Sequence, residues 1–216
     1  MQIKSFTLAE VLTTIGIIGI VAAMTLPSLM SKQRKVKITT SMKKFYSTFS
    51  QSVLRSQVAN GDFNELPPPE IDHNAASLET WWKLYMQAYF IEQKTYTKNN
   101  WFIVDFADGS GAGIKSMSKT KISMQIVYCV NLRECLDKEF IVRSEAGSAT
   151  TGRNSFVFLL DGGKLTVPFS EYTREQMLND RRYGCSVESG DFAHRLCSTL
   201  IMHDGWEIKD DYPVKI

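Results

Sequence analysis

An uncharged run near the N-terminus, residues 11–30, constrains this sequence more than any other feature. A helix of about 20 mostly apolar residues is long enough to cross a hydrocarbon core of about 30 Å. Glu10 stands at the threshold of the run, where a carboxylate is costly unless another group neutralises it. The sequence therefore predicts a membrane-spanning helix with one charge at its end that needs a partner.

Three other interpretations of this run explain less. A secretory signal peptide has a shorter apolar region before a small-residue cleavage site. Ala22-Ala23-Met24 imitates such a site, but the apolar run continues through Leu26 and Leu29. A plain signal anchor accounts for the length of the run but not for Glu10. A buried core helix would need protein on all sides, which the N-terminal position disfavours.

Three features of the N-terminal segment follow one another in a specific order. They are the hexapeptide Ser5-Phe6-Thr7-Leu8-Ala9-Glu10, the apolar helix after it, and Pro27 inside that helix. Together they resemble the N-terminus of type IV prepilins and of the pseudopilins of type II secretion systems. The resemblance covers residues 1–30, and it departs from the family's usual glycine before the cut, where this chain has Ser5.

The resemblance implies how this segment is processed and what it contacts. A prepilin peptidase would cut between Ser5 and Phe6 on the cytoplasmic side and N-methylate Phe6. Glu10 would face the terminal amine of a neighbouring subunit in a filament, which supplies the missing partner for its charge. Further implied partners are other pilin or pseudopilin subunits, inner-membrane lipid and the assembly platform of the secretion or pilus machinery.

The helix is predicted to continue well beyond the apolar run. Apolar residues recur at spacings of three and four, which marks one face of an amphipathic helix: Ile38, Met42, Phe45, Phe49 and Val53. Gly61 follows Asn60 as a natural C-terminal cap. Such a rod would have its first half in a membrane or filament core and its second half packed on a domain. Pro27 removes one backbone hydrogen bond and is predicted to kink or locally melt the rod.

Four cysteines fall into two close pairs, Cys129 with Cys135 and Cys185 with Cys197. An even count in a membrane-anchored chain favours two disulfides and an oxidising compartment. Zinc is the alternative, although neither pair has the CxxC spacing of structural zinc sites.

The charges on either side of the predicted span and the cysteines indicate opposite orientations in the membrane. A basic collar, defined here as Lys32, Arg34, Lys35 and Lys37, outnumbers Lys4. The positive-inside rule would place the chain after it in the cytoplasm, whereas the cysteines and the prepilin resemblance place it outside. We expect a single-pass inner-membrane protein with a periplasmic C-terminal domain. The collar would then touch lipid phosphates or acidic neighbours, or be merely a solvated helix face.

Beyond the rod, the pattern changes twice. Leu66-Pro67-Pro68-Pro69 indicates an extended linker. An aromatic stripe then predicts a second helix of about 14 residues whose stripe belongs to the core: Leu78, Trp81, Trp82, Tyr85, Met86, Tyr89 and Phe90. From Trp101 the period becomes two, which predicts strands over residues 101–106, 112–117, 121–130, 155–160 and 164–167. The fold class is thus α+β, pilin-like, with a long N-terminal helix packed on an antiparallel sheet of about four or five strands.

The C-terminal part is less regular. A short helix is predicted over residues 191–202, tied to the preceding loop by its cysteine pair. A final edge strand is predicted from Trp206, Ile208, Tyr212 and Val214. An acidic cluster near the end also suggests a calcium site, with Asp204, Asp210 and Asp211 as candidate ligands. A solvated acidic tail is the alternative.

Motifs for catalysis are missing from the sequence. It contains no nucleophile elbow, P-loop or HExxH pattern, and its three histidines are scattered. A net charge of +2 implies no general field for nucleic acid. We therefore expect no enzyme, no cofactor and no specific nucleic acid partner.

The chain is expected to divide into five parts. They are a leader (1–5), a membrane-spanning or filament-core helix (6–30), its amphipathic continuation (31–61), a proline-rich linker (62–76) and a globular domain (77–216). The expected function is that of a filament-forming pseudopilin of a type II protein secretion system. The alternatives are a minor type IV pilin for adhesion or DNA uptake, and a membrane-tethered ligand-binding or enzymatic domain.

Overall fold

One long helix dominates the structure. The computed structural model describes residues 7–71, 75–90, 93–137, 150–187 and 192–216. Helix α1, Leu8–Asn60, is 53 residues long. It begins at a capping box between Thr7 and Glu10 and ends at Gly61, whose φ of +97° is open to glycine and costly for other residues. The predicted continuation of the helix to Asn60-Gly61 is confirmed.

The helix is unbroken at Pro27, so the expectation of local melting there is wrong. Proline lacks the N–H that would donate to the carbonyl of Ala23, four residues earlier. The loss of one hydrogen bond is tolerated because the ladder on either side of Pro27 continues for several turns.

The second half of α1 forms one wall of the main core. The five residues of its predicted apolar face are at most 7% exposed. Phe45 lies with its ring centroid 4.3 Å from that of Tyr128 in the sheet, and the two rings are stacked. The predicted amphipathic face is therefore confirmed as the surface that packs on the domain.

The second helix is shorter than predicted. Helix α2, Ala76–Tyr85, has ten residues, and a single 3₁₀ turn, Gln87–Tyr89, follows it. Two serines of α1 cap the ends of these segments. Ser56 Oγ donates to the carbonyl of Tyr85, and Ser52 Oγ donates to the carbonyl of Tyr89. Carbonyls at a helix end need such donors, which explains why α2 stops against α1.

The aromatic stripe of α2 is core, as predicted. Trp81 and Trp82 are at most 4% exposed. The ring of Trp82 lies 6.0 Å from that of Phe49 on α1 and 5.4 Å from that of Phe102 in the sheet. The proline-rich segment before α2 is held in place because Trp81 Nε1 donates to the carbonyl of Pro67 at 3.0 Å.

A six-stranded antiparallel sheet lies against the two helices, with its strands in sequence order. The strands are β1 Gln93–Lys98, β2 Trp101–Phe106, β3 Gly111–Ser116, β4 Ser123–Cys129, β5 Ser155–Asp161 and β6 Lys164–Thr166. Five of them match the predicted strands within a few residues. The α+β architecture with an antiparallel sheet is thus confirmed.

Strand β1 was not predicted. It is a polar edge strand with Lys94 and Lys98 exposed, so it lacks the alternating apolar pattern of a half-buried strand. Asn99 and Asn100 connect it to β2 with positive φ at both positions, as in a type I′ hairpin turn. This Asn-Asn pair was the available sequence signal for the hairpin.

Both faces of the sheet are covered. Phe102, Ile114 and Ile126 point to the main core with α1 and α2, whereas Trp101 and Val127 on the alternate positions belong to a second cluster. Helix α3, Leu132–Asp137, contributes Leu132 and Cys135 to that second cluster. The sheet is therefore buried on both sides at its centre.

The C-terminal part contains helices α4, Arg174–Asn179, and α5, Cys197–His203. Helix α4 was not predicted, and α5 is shorter than the predicted segment, whose first residue, Asp191, lies outside the described residues. The predicted final strand is wrong. Gly205 and Trp206 both have positive φ, which breaks an extended backbone, and the following side chains anchor separately: Ile208 lies in the main core, and Tyr212 Oη donates to the carbonyl of Gly152.

Candidate functional site

The charge at the start of the apolar run has a partner within its own chain. Glu10 Oε2 accepts hydrogen bonds from the backbone N–H of Thr7 at 2.8 Å and from its hydroxyl at 2.9 Å, and the N–H of Glu10 donates to Thr7 Oγ1. This reciprocal capping box satisfies two of the free N–H groups of a helix start. Ser5 and Phe6, the predicted processing residues, lie outside the described residues.

The first half of α1 projects from the domain without protein around it. Of the described residues up to Met30, only Ala22 is partly covered. Its large apolar side chains are 42–77% exposed. An 18-residue window of this helix has a mean hydropathy of 1.9 and is apolar enough to cross a membrane. One such helix near the N-terminus is compatible with a membrane span and equally with a signal sequence.

Small residues interrupt the exposed apolar surface. Nothing lies within 4 Å of the position that a Cβ atom would take at Gly16 or Gly19. Hydroxyls in the same segment are satisfied locally, as Thr13 Oγ1 donates to the carbonyl of Ala9 and Thr25 Oγ1 to that of Val21. The segment therefore exposes apolar atoms and few free polar groups.

The two predicted cysteine pairs are disulfides in the structure. Cys129 bonds Cys135 and closes a loop that contains most of α3, and Cys185 bonds Cys197 at the start of α5. All four cysteines are at most 1% exposed. The disulfides indicate an oxidising, extracytoplasmic environment for the domain.

Each of the three aspartates predicted as calcium ligands is paired with a cation. The guanidinium of Arg174 donates to Asp204 at 2.9 Å and to Asp211 at 2.8 Å, while Asp210 pairs with Lys35 of α1 at 3.2 Å. Among the described residues, no group of three or more His, Cys, Asp or Glu side chains is arranged to hold a metal ion. The three candidate calcium ligands thus serve as ion-pair partners here.

Asp204 is the buried centre of this cluster, with a side chain that is 3% exposed. Burial by itself would raise its pKa, but hydrogen bonds from Arg174, Lys209 and His203 lower the pKa to about 2. The carboxylates of Asp211 and Asp204 raise the pKa of Arg174. The cluster ties the C-terminal tail to α4. Arg174 was not among the predicted residues, because no local pattern marks a contact 30 residues away.

The histidines form no catalytic group with one another in the described part of the chain. His194 Nδ1 lies 2.6 Å from the carbonyl oxygen of Cys185, and His203 contacts Asp204. His73 lies outside the described residues. The Gly-rich segment from Asp108 is the turn of the β2–β3 hairpin, where the N–H of Phe106 donates to the carbonyl of Ser110.

A groove of about 330 Å³ runs between α1 and the sheet. Phe45, Phe90 and Tyr128 contribute aromatic walls, and Lys44 and Arg55 stand at its rim. Lys44 is paired with Asp108 at 2.8 Å. Burial raises the pKa of Tyr128 to about 12, so its phenol stays neutral. Asp108, which also lines the groove, neutralises Lys44, so Arg55 is the cation of the lining without an acidic partner in the groove. The groove is chemically suited to a mainly apolar group.

Comparison with known proteins identifies one relationship. A family model, described as a family of unknown function (DUF6613), matches residues 28–216. No curated protein and no solved structure matches the chain. The matched region contains the second half of α1 and the whole sheet domain, and it begins one residue after Pro27.

Proposed function

Because this chain belongs to the DUF6613 family of unknown function, which assigns it no activity, we propose its function from its own architecture. It is a filament-forming, pilin-like subunit that is anchored in the inner membrane before assembly. Within that class we propose a pseudopilin of a type II protein secretion system, with a minor type IV pilin as the nearest alternative.

The observation that carries this proposal is the change of environment along α1. Residues up to Met30 are apolar and exposed, whereas Ile38 and the apolar residues after it are buried in the domain. A helix that only served the core would not extend for six turns beyond it. The exposed half needs an apolar environment, which lipid supplies before assembly and neighbouring helices supply in a filament. Because lipid tails and apolar side chains are equally apolar, the transfer between them costs little.

Glu10 would set the register of that assembly. In the single chain its carboxylate is held by Thr7. Removal of the leader would create a charged amine at Phe6, and the amine of one subunit would pair with Glu10 of the next where water is scarce. The capping box therefore stabilises the carboxylate at the helix end until a neighbour's amine reaches it.

The N-terminus of the mature protein tests the processing step. Mass spectrometry of the chain purified from membranes should find a first residue Phe6 that carries one methyl group. A mature chain that still begins at Met1 would contradict the proposed processing and would favour a simple membrane tether.

Substitutions at Glu10 distinguish its proposed pairing with a neighbour's amine from its role in capping the start of α1. Glutamine can replace glutamate in a capping box, so Glu10→Gln keeps the helix start and removes the charge, while Glu10→Ala removes both. We expect both variants to stay in the membrane after alkaline carbonate extraction and both to fail to form filaments by electron microscopy. Thr7→Ala is the matched control, because it weakens the cap, keeps the carboxylate and should still assemble. Normal filaments from Glu10→Gln would refute the pairing role.

The groove between α1 and the sheet favours a second candidate function, a membrane-tethered ligand-binding domain. Its aromatic walls and the rim cation Arg55 could hold a small amphiphile. A helix that serves only as a membrane tether does not require a charge at position 10. Glu10→Ala should therefore leave ligand binding by such a protein unchanged. Loss of function in that variant would therefore support the filament subunit over the tether.

A further inference from the structure

With residues 11–30 in the bilayer, as proposed above, helix α1 determines which end of the domain faces the membrane. Gln57 Nε2 donates to the carbonyl of Gly163 in the β5–β6 turn, and Lys44 Nζ donates to Asp108 in the β2–β3 turn. A helix rises 1.5 Å per residue, so these contacts lie about 40 Å and about 21 Å beyond Met30. The β2–β3 turn therefore lies at the membrane-proximal end of the sheet.

A wide cleft opens at this end. It has a volume of about 850 Å³ and is lined by three cations from three different elements: Lys37 of α1, Lys94 of β1 and Arg133 of α3. All three side chains are exposed. Among the ion pairs that the structure contains between described residues, none involves these three cations.

The anions of the cleft cancel this charge only in part. Asp108 is already held by Lys44 at 2.8 Å and accepts two hydrogen bonds from Ser110. Asp105 is the one other carboxylate of the lining. It lies opposite Lys94 across the β1–β2 pair and offsets one of the three cations, so a surplus of two positive charges remains. Apolar side chains such as Val130 and Leu136 complete the wall and lower the local polarity, which strengthens attraction for a negative group.

We infer that this membrane-proximal cleft binds the phosphate of anionic phospholipid headgroups, in the bilayer that holds the first half of α1. The inference rests on the proposed membrane insertion of residues 11–30, and it does not depend on filament formation. A headgroup layer extends about 5–8 Å beyond the hydrocarbon, and Lys37 lies about 10 Å beyond Met30 along the helix. The Lys44–Asp108 contact at the β2–β3 turn lies about 21 Å beyond Met30. The inference therefore requires α1 to tilt toward this face by at least about 20°, which is average for a membrane helix, with the long side chains of Lys94 and Arg133 extended toward the headgroups.

The cleft extends the basic collar of α1 onto the domain. The collar alone comes from one helix, whereas Lys94 and Arg133 come from elements that the chain reaches 57 and more residues later. Their convergence with Lys37 creates a surface that can hold the domain on an anionic bilayer. The contact would have to be released when a subunit leaves the membrane for a filament.

Hydrogen exchange of the full chain in vesicles tests the inference. The chain is reconstituted into vesicles of phosphatidylcholine and into vesicles of phosphatidylcholine mixed with phosphatidylglycerol, and carbonate extraction verifies insertion in both. Each Lys or Arg near an anionic surface contributes a factor of about five to the binding equilibrium. We expect amide exchange in residues 106–111 and 130–136 to be slower by about five-fold or more in the anionic vesicles.

Matched variants locate the effect. Lys94→Gln combined with Arg133→Gln should abolish the slowing. Lys98→Gln combined with Lys164→Gln removes the same charge from the far end of the same sheet and should keep it. Equal exchange in both kinds of vesicle, or slowing that survives the Lys94 and Arg133 changes, would overturn the inference.

Two further arms distinguish other anions. Inorganic phosphate added to phosphatidylcholine vesicles should leave the exchange unchanged, and full slowing by free phosphate would show a phosphate site rather than a lipid site. Slowing that grows with protein density in phosphatidylcholine alone would assign the cleft to an acidic surface of another subunit, and the lipid inference would fall. Defective filaments from the Glu10 variants would not affect either result.

Discussion

The contact between Phe45 and Tyr128 should hold the rod on the domain, and its removal should be severe. Phe45 is 5% exposed. Its ring is stacked on Tyr128 at 4.3 Å and lies 5.3 Å from the ring of Phe158. Truncation of a buried phenylalanine to alanine costs about 3–5 kcal/mol, because apolar burial is lost and a cavity remains. The aromatic contacts, worth about 0.5–1.5 kcal/mol per pair, place Phe45→Ala in the upper part of that range.

The loss can be measured by denaturation of the full chain in detergent micelles. All four tryptophans lie between residues 81 and 206, so their fluorescence reports on the domain and not on the exposed first half of α1. A typical domain is stable by about 5–15 kcal/mol. Phe45→Ala should therefore lower the denaturation midpoint strongly, while Phe45→Leu, which keeps part of the apolar volume, should lower it less.

Val58→Ala is the matched control on the same helix. Its side chain is 90% exposed, so we expect a change within about 0.5 kcal/mol. A loss below about 1 kcal/mol in Phe45→Ala, or equal losses at Phe45 and Val58, would refute the assignment of this face of α1 as the wall of the core.

Four further measurements test the C-terminal region and the groove. Serine at both Cys185 and Cys197 should cost about 3 kcal/mol of stability, as the chain-entropy relation gives for a loop closed over 12 residues, measured as the shift in denaturation free energy. Arg174→Ala should cost about 2–3 kcal/mol through lost charge-assisted hydrogen bonds, and Arg174→Lys should recover only part because lysine lacks the forked guanidinium. Since the folded state lowers the pKa of Asp204 to about 2, its contribution to stability is complete above its ordinary pKa of 3.8 and is lost as the pH falls toward 2. Between pH 3.8 and about 2, the free energy of unfolding should therefore fall less steeply with decreasing pH in Asp204→Asn than in the unchanged chain. Burial raises the pKa of Tyr128 to about 12, so the difference in phenolate absorbance between the native chain and Tyr128→Phe should have its midpoint near that pH.

Local patterns in the sequence predicted the long helix and its two environments. Both follow from spacing within one segment: no charge over residues 11–30, then apolar residues such as Phe45 and Phe49 at helical spacing. The strands with buried, alternating side chains, such as β4, were predictable for the same reason. The two disulfides followed from the number and the closeness of the cysteines.

The sequence by itself did not determine which distant groups meet, because such contacts depend on the packing of the whole domain. The polar edge strand β1 is a strand only because β2 pairs with it. The C-terminal tail is held by side chains, with Asp204 and Asp211 on Arg174, and not by the backbone pairing that its alternating pattern suggested. The convergence of Lys37, Lys94 and Arg133 on one cleft likewise exists only after the sheet has docked on the helix. Spacing along the chain determined the elements, and the burial of one element against another decided where their charges lie.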